Sequence, residues 1–180
     1  MTVRGLSAGI GNVFVDTTMV DRGWNKVVSE IKKLDGSYVK VGLPENGKIQ
    51  PGSKQGSGND DVSTMSELVT IGAVQEYGAP NRGIPSRPFM RITFDKSVNA
   101  LKNIKVKLIN EIYDGKSTVE HALNKIGIWY SAKIKATITA LKDPPNDPKT
   151  IKRKGSSNPL IDSSQMRNSI THVIKTGSGA

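Results

Sequence analysis

The chain contains no cysteine, and that absence removes thiolate catalysis, zinc–thiolate sites and disulfides together. The compartment stays open on this ground alone, because a cysteine-free chain can also be secreted. Histidine is nearly as scarce, with only His121 and His172 among 180 residues. Neither has a second ligand at metal-binding spacing, so a transition-metal site is not expected. His121, beside Glu120, reads as helix surface. His172 sits in a short alternating run, where packing or solvation is expected rather than catalysis. Aromatics make up 5% of the chain and do not interleave with basic residues, which argues against base stacking on a single strand. No apolar run approaches the roughly 20 residues that span a bilayer. Met1–Gly5 also lacks the layout of a secretory leader. The expectation is a soluble, cytoplasmic protein.

Catalytic constellations are missing as well. Asp60-Asp61 is the one adjacent acidic pair, and its Gly/Ser/Asn-rich surroundings offer no rigid support for acid–base work. Gly52–Gly58 superficially resembles a phosphate loop but lacks the Gly-Lys-Ser/Thr ending. Ser86, Ser163 and Ser164 have no Gly-x-Ser-x-Gly elbow, and turn or cap chemistry accounts for them. No catalytic residue, cofactor or metal is expected.

What the chain does have is positive charge on one side of its length. The formal net charge is +10. Residues 1–90 hold 10 Lys/Arg against 9 Asp/Glu, a net of +1, whereas residues 91–180 hold 16 against 7, a net of +9. Such an imbalance is the footprint of a partner for nucleic acid or for an acidic protein surface.

The apolar pattern predicts α+β: a small, mostly antiparallel sheet packed by two long amphipathic helices, with a long flexible loop and an N-terminal helical arm. Residues 1–36 form the arm, with a weak strand signal at Asn12–Asp16. A helix follows Asp21, with Trp24, Val27, Val28 and Ile31 on its apolar face. Residues 37–175 form the main domain, opening on an alternating strand at Ser37–Leu43. The Gly/Ser/Asn/Asp-rich loop at 44–62 is expected to order on assembly. Met65, Leu68, Val69, Ala73 and Tyr77 recur at helical spacing, and Gly78 closes that helix. Val98–Ile112 and Leu123–Leu141 supply the two long stripes. Ser117-Thr118-Val119-Glu120 has capping-box form, and Asp143-Pro144-Pro145 stops the second helix. Lys152, Arg153 and Lys154 read as an exposed basic loop. Asp162 or Ser163 caps a short turn before a closing strand at Ile170–Ile174, and residues 176–180 are an unanchored tail.

Two stretches are dense in backbone punctuation and anchoring side chains. One is Gln75-Glu76-Tyr77-Gly78 with Ile84-Pro85-Ser86-Arg87-Pro88-Phe89-Met90-Arg91. The other runs from Pro145-Asn146 through Lys154-Gly155 to Pro159-Leu160-Ile161-Asp162. Pro85 and Pro88 impose an extended crossing. Phe89 and Tyr77 are read as core. Arg87 and Arg91 suit bidentate pairing with a carboxylate such as Glu76 or Asp95, with pairing inside the fold and between subunits equally open.

In order and spacing these segments resemble the tail-completion, or neck, proteins of tailed bacteriophages. The family pattern is Asn/Gln-Glu-Phe/Tyr-Gly, then Ile-Pro-x-Arg-Pro-Phe-hydrophobic-Arg. Downstream, Ala122-Leu123-Asn124-Lys125-Ile126-Gly127, Thr150-Ile151 and Met166-Arg167-Asn168-Ser169-Ile170 extend the likeness, which covers about residues 37–175. Two positions depart: Ser163 stands where threonine is common and Ser164 where glycine is common. The resemblance implies a non-enzymatic virion protein, assembled in the host cytoplasm into a ring at the head–tail joint. Its partners would be itself, the head connector and the tail terminator or tail tube, with genome DNA passing nearby. An acidic protein partner is preferred for the basic half, since tight DNA binding would retard ejection. A tail terminator or other minor tail protein is the alternative within this class. A basic double-stranded-DNA-binding protein is the alternative outside it.

Overall fold

The computed structural model describes residues 22–44, 47–50 and 64–178. The strand expected at Asn12–Asp16, the Asp21 cap and most of the 44–62 loop lie outside these residues. Within them the protein is mostly helical α+β, with six helices and a two-stranded antiparallel sheet packed against the long helices. The order is α1 (Trp24–Leu34), β1 (Tyr38–Gly42), α2 (Met65–Tyr77), α3 (Phe89–Tyr113), α4 (Val119–Ala140), α5 (Pro148–Lys154), α6 (Gln165–Ser169) and β2 (Thr171–Lys175), with a 3₁₀ turn at Pro80–Arg82. Strands β1 and β2 pair from Tyr38 opposite Lys175 to Gly42 opposite Thr171. Both lie on α4, which also packs along α3, and α1 docks onto α3 and α4.

Two apolar clusters result from the helical and alternating periods. Leu68, Phe89, Ile134, Ile138, Leu160, Met166 and Ile170 form the larger, between α2, α4 and the α6–β2 segment. Leu108, Ile112, Val119 and Ala122 form the smaller, where α3 turns into α4. Trp24 departs from its expected place on the apolar face: it is 69% exposed at the first residue of the helix, where none of the described residues covers it. Part of the expected loop is also anchored. Ile49 packs on the larger cluster, and the Gln50 amide donates to the Ser169 hydroxyl at 3.0 Å. Gly177, expected in an unanchored tail, donates its amide to Ser37 Oγ at 2.8 Å.

The two long helices have their first amides satisfied in an unusual way. The N-cap of helix α4 is Thr118, one residue later than the Ser117 box suggests, and the Thr118 hydroxyl accepts from His121 N–H at 3.2 Å. The Val119 amide is taken not by Glu120 but by the buried carboxylate of Glu30 on α1, at 2.8 Å. The other Glu30 oxygen accepts from Lys33 Nζ at 2.7 Å. The Lys33 hydrogen bond, followed by the Val119 one, holds the Glu30 carboxyl below its usual range despite burial. A carboxyl depressed in the folded state adds stability above its unfolded pKa of about 4.3, and that contribution is lost as pH falls through the folded value. Glu30→Gln is therefore expected to cost about 1 kcal/mol near pH 7. The gap between the melting temperatures of parent and variant should close as pH drops from 5 towards 3.

Gly127 on α4 has a tertiary reason. A Cβ there would overlap the His172 ring from β2, with Nε2 only 2.9 Å away. His172 is pinned in place, its Nε2 lying 2.8 Å from Asn124 Oδ1 on α4. The sheet thus seats on the helix through a ring laid over a glycine. Gly127→Ala gains up to about 1 kcal/mol of helix propensity but must displace that ring. Overpacking of this kind costs about 1–3 kcal/mol, so net destabilisation is expected in chemical unfolding. Gly127→Ala combined with His172→Ala should recover part of it.

Candidate functional site

The two punctuated segments, far apart in the chain, meet at Arg87. Its backbone amide donates to the Gln75 carbonyl at 2.6 Å, which ties the extended 84–88 crossing to the end of α2. The guanidinium then spreads its donors over the 144–146 turn. Nε reaches the Pro144 carbonyl at 2.9 Å. Nη2 reaches the Pro145 carbonyl at 3.1 Å and Asn146 Oδ1 at 3.2 Å. Nη1 reaches Gln75 Oε1 at 2.9 Å. The residue is 3% exposed, and burial lowers its pKa from the ordinary arginine value, though arginine stays charged. The expected carboxylate partner is not used. Carbonyl and amide oxygens take its place, because the fork geometry of a guanidinium suits several fixed acceptors on one turn.

Glu76 serves a different end. Its carboxylate accepts from the Met90 amide at 2.8 Å and the Arg91 amide at 3.1 Å. These belong to the first turn of α3, whose N-cap is Pro88, a residue with no side-chain acceptor. Glu76 thus caps the helix from α2, and its negative charge sits at the positive end of the helix dipole. The Ser86 hydroxyl donates to the Glu76 carbonyl at 2.7 Å, closing the corner. Gly78 ends α2 with φ 79°, and a Cβ there would stand 2.8 Å from Ser86 N, so only glycine lets the crossing pass. Burial pushes the nearby Tyr130 hydroxyl above its ordinary pKa, and the charges of Asp95 and Glu76 add to that shift.

Other anticipated residues divide between inside and outside. Phe89 is core, as expected, and Pro85 lies exposed along the crossing. Tyr77, expected in the core, is 72% exposed on the far side of α2 from Leu68. Arg91 also points outward, so of the two arginines one is an internal clamp and the other is surface. Lys152–Lys154 are not a loop: they form the last turn of α5, closed by Gly155 at φ 65°. Lys152 and Arg153 are exposed, but Lys154 is 8% exposed, its ammonium donating to the carbonyls of Asn158 and Pro159 at 3.3 and 3.4 Å. The N-cap position of α6 is neither Asp162 nor Ser163. That place falls to Ser164, which adopts the left-handed φ of 68° where glycine is the easier residue.

Asn158 was not singled out by its sequence context, yet it organises the second segment. Its amide donates to the Thr139 carbonyl at the end of α4 at 2.9 Å, and its Oδ1 accepts from Leu160 N–H at 3.0 Å. The Asn-Pro step at 158–159 was the available signal, since Asn in such a step often bonds to nearby backbone.

Between the two segments lies a groove of about 660 Å³, lined by Gln75, Arg82, Pro85, Arg87, Arg153 and Asp162 among others. Among the described residues no group of His, Cys, Asp and Glu could hold a metal ion, and no helix is long and apolar enough to cross a membrane. The polar groups at the Arg87–Glu76 corner are spent on partners within the fold, mostly backbone, which makes the site an architectural joint. No protein-family model, curated protein or solved structure matches the chain.

Proposed function

We propose that the chain is a structural, non-enzymatic subunit of the head–tail joint of a tailed bacteriophage, assembling as a ring that helps attach the tail to the head connector. One observation carries the reading. The two segments on which the family likeness rests are bound into one corner by Arg87, whose bonds cross 57 to 59 residues of chain. A corner of this kind fixes the relative placement of α2, α3 and the 144–162 segment. Subunits that close into a ring need such fixed angles, because small errors accumulate around heterologous contacts. Exposed Tyr77 and Arg91 beside the corner are residue types enriched at protein interfaces. The test is deletion of the gene from the virus that encodes it, followed by electron microscopy of the lysate. DNA-filled heads beside separate tails of normal length are expected. Tails of irregular length would assign tail termination instead, and intact virions would overturn the reading.

A further inference from the structure

The outer face of α3 has a composition that the corner does not explain. From Lys96 to Asn110 the helix carries Lys96, Lys102, Lys105 and Lys107 and no acidic residue. Asn99, Asn103, Val106 and Asn110 follow one another at i, i+4, i+7 and i+11, which places them along a single ridge. At about 100° per residue, Lys102 falls on one flank of that ridge, and Lys96 and Lys107 fall on the other. Lys105 lies further round beyond Lys102. All eight side chains are exposed, while α4 and α1 cover the opposite face. None of the four lysines makes an ion pair among the described residues. The acids at the far end are engaged, Glu111 with Lys125 at 3.1 Å and Asp114 with Lys116 at 2.7 Å. Asp95, at the near end, is the acid closest in sequence on the open side.

A second copy of this chain is a poor occupant of this face, since it brings a further net +10 and has no acidic surplus to offer. An acidic protein is also a poor fit. Protein interfaces are depleted in lysine and enriched in aromatics, methionine and arginine; between Lys96 and Asn110 this ridge offers Val106 alone as an apolar anchor, with Tyr113 exposed one turn beyond. Lysine ammoniums flanking amide side chains are, however, a donor set suited to phosphate oxygens, which lysine and asparagine contact without reading sequence. The described helix is about 37 Å long, enough to lie across a groove and touch phosphates on both sides. We infer that the Lys96–Asn110 face of α3 contacts the phosphate backbone of double-stranded DNA, without base specificity. This inference does not rest on the adaptor reading, and it reverses the preference for an acidic protein partner drawn from the sequence.

The experiment is binding of the full chain to a fluorescent DNA duplex of mixed sequence at a series of salt concentrations. Affinity should fall linearly on a log–log plot, by about 0.9 in slope per phosphate neutralised. The variant Lys96→Gln/Lys102→Gln/Lys107→Gln should lose about 2–3 of that slope, and on the order of tenfold or more in affinity at low salt. The charge-matched control Lys149→Gln/Lys152→Gln/Arg153→Gln on α5 should stay within about 1 of the parent slope. Equal losses in both variants would show a response to net charge alone and overturn the inference. So would no binding by the parent at low salt, or displacement of DNA by polyglutamate at a lower charge concentration than by competing duplex. Lysine acetylation footprinting of the unmodified chain keeps the test decisive if the α3 variant fails to fold. Protection of Lys96, Lys102 and Lys107 by duplex is expected, and their unchanged labelling would overturn the contact.

Discussion

Arg87→Leu is expected to destabilise the protein by about 3 kcal/mol, because it removes a buried charged donor, and hydrogen bonds to charged groups are worth about 1.5–3 kcal/mol each. Four acceptors lose their partner: the carbonyls of Pro144 and Pro145, Asn146 Oδ1 and Gln75 Oε1. The two side-chain amides are only half-buried and can turn to water. Pro144 is half-buried in the same way and Pro145 is exposed, so the loss concentrates on the leucine's inability to hold the turn. For a chain of this length the melting temperature should drop by roughly 6–12 °C. Arg87→Lys should recover little of it, since one ammonium cannot span a fork that reaches two segments. The amide bond from residue 87 to the Gln75 carbonyl survives both changes. Loosening should accordingly appear first in the 144–162 segment, as faster hydrogen exchange there than in α2. A loss below about 1 kcal/mol would mean that the joint is held by packing around Leu160 and Met166 rather than by the clamp.

Glu76→Ala should cost about 2–3 kcal/mol. It uncaps α3 and removes a charge from the helix's positive end, contributions worth about 0.5–2 and 0.3–2 kcal/mol. Glu76→Gln keeps one acceptor oxygen and no charge, so about half of that loss is expected. Exchange of the Met90 and Arg91 amides is the specific readout. Both should open in Glu76→Ala well before the amides of the α4 core, whereas simple global destabilisation would move all of them together. The ordering matters because Phe89, the first residue of α3, is buried in the larger core cluster. Fraying at the cap therefore pulls on the core.

The parts of the fold visible from the sequence were those with local periodicity. Leu68, Ile112, Ile134 and Ile138 fall on the apolar stripes that helical spacing predicts, and all are buried. Strands near 37–43 and 170–174 were legible from alternation and are found at Tyr38–Gly42 and Thr171–Lys175. Gly78 was legible as a helix stop, because positive φ favours glycine directly. The start of α3 was not, since Pro88 carries no cap signal and the acceptor comes from Glu76, on another helix. Lys154 looked exposed for a related reason. Two of its partners are backbone carbonyls, which every residue possesses and which leave no mark on composition. Tyr77 and Trp24 were placed inside by helical spacing, whereas their exposure depends on whether a neighbouring element passes over them.

By itself, the sequence determined the mixed helix-and-strand class, the positions of the main turns, the absence of cysteine chemistry and the concentration of positive charge after residue 91. Each of these is set by neighbours a few residues away or by composition. Only the tertiary structure decided that Arg87 faces inward while Arg91 faces out, and that Glu76 and Glu30 cap helices that follow them in the chain. It also decided that the two punctuated segments form one joint. The physical reason is that these contacts satisfy backbone groups across 14 to 89 residues of chain. Such pairings depend on which polar atoms packing leaves without water, and that is settled only when the helices have docked.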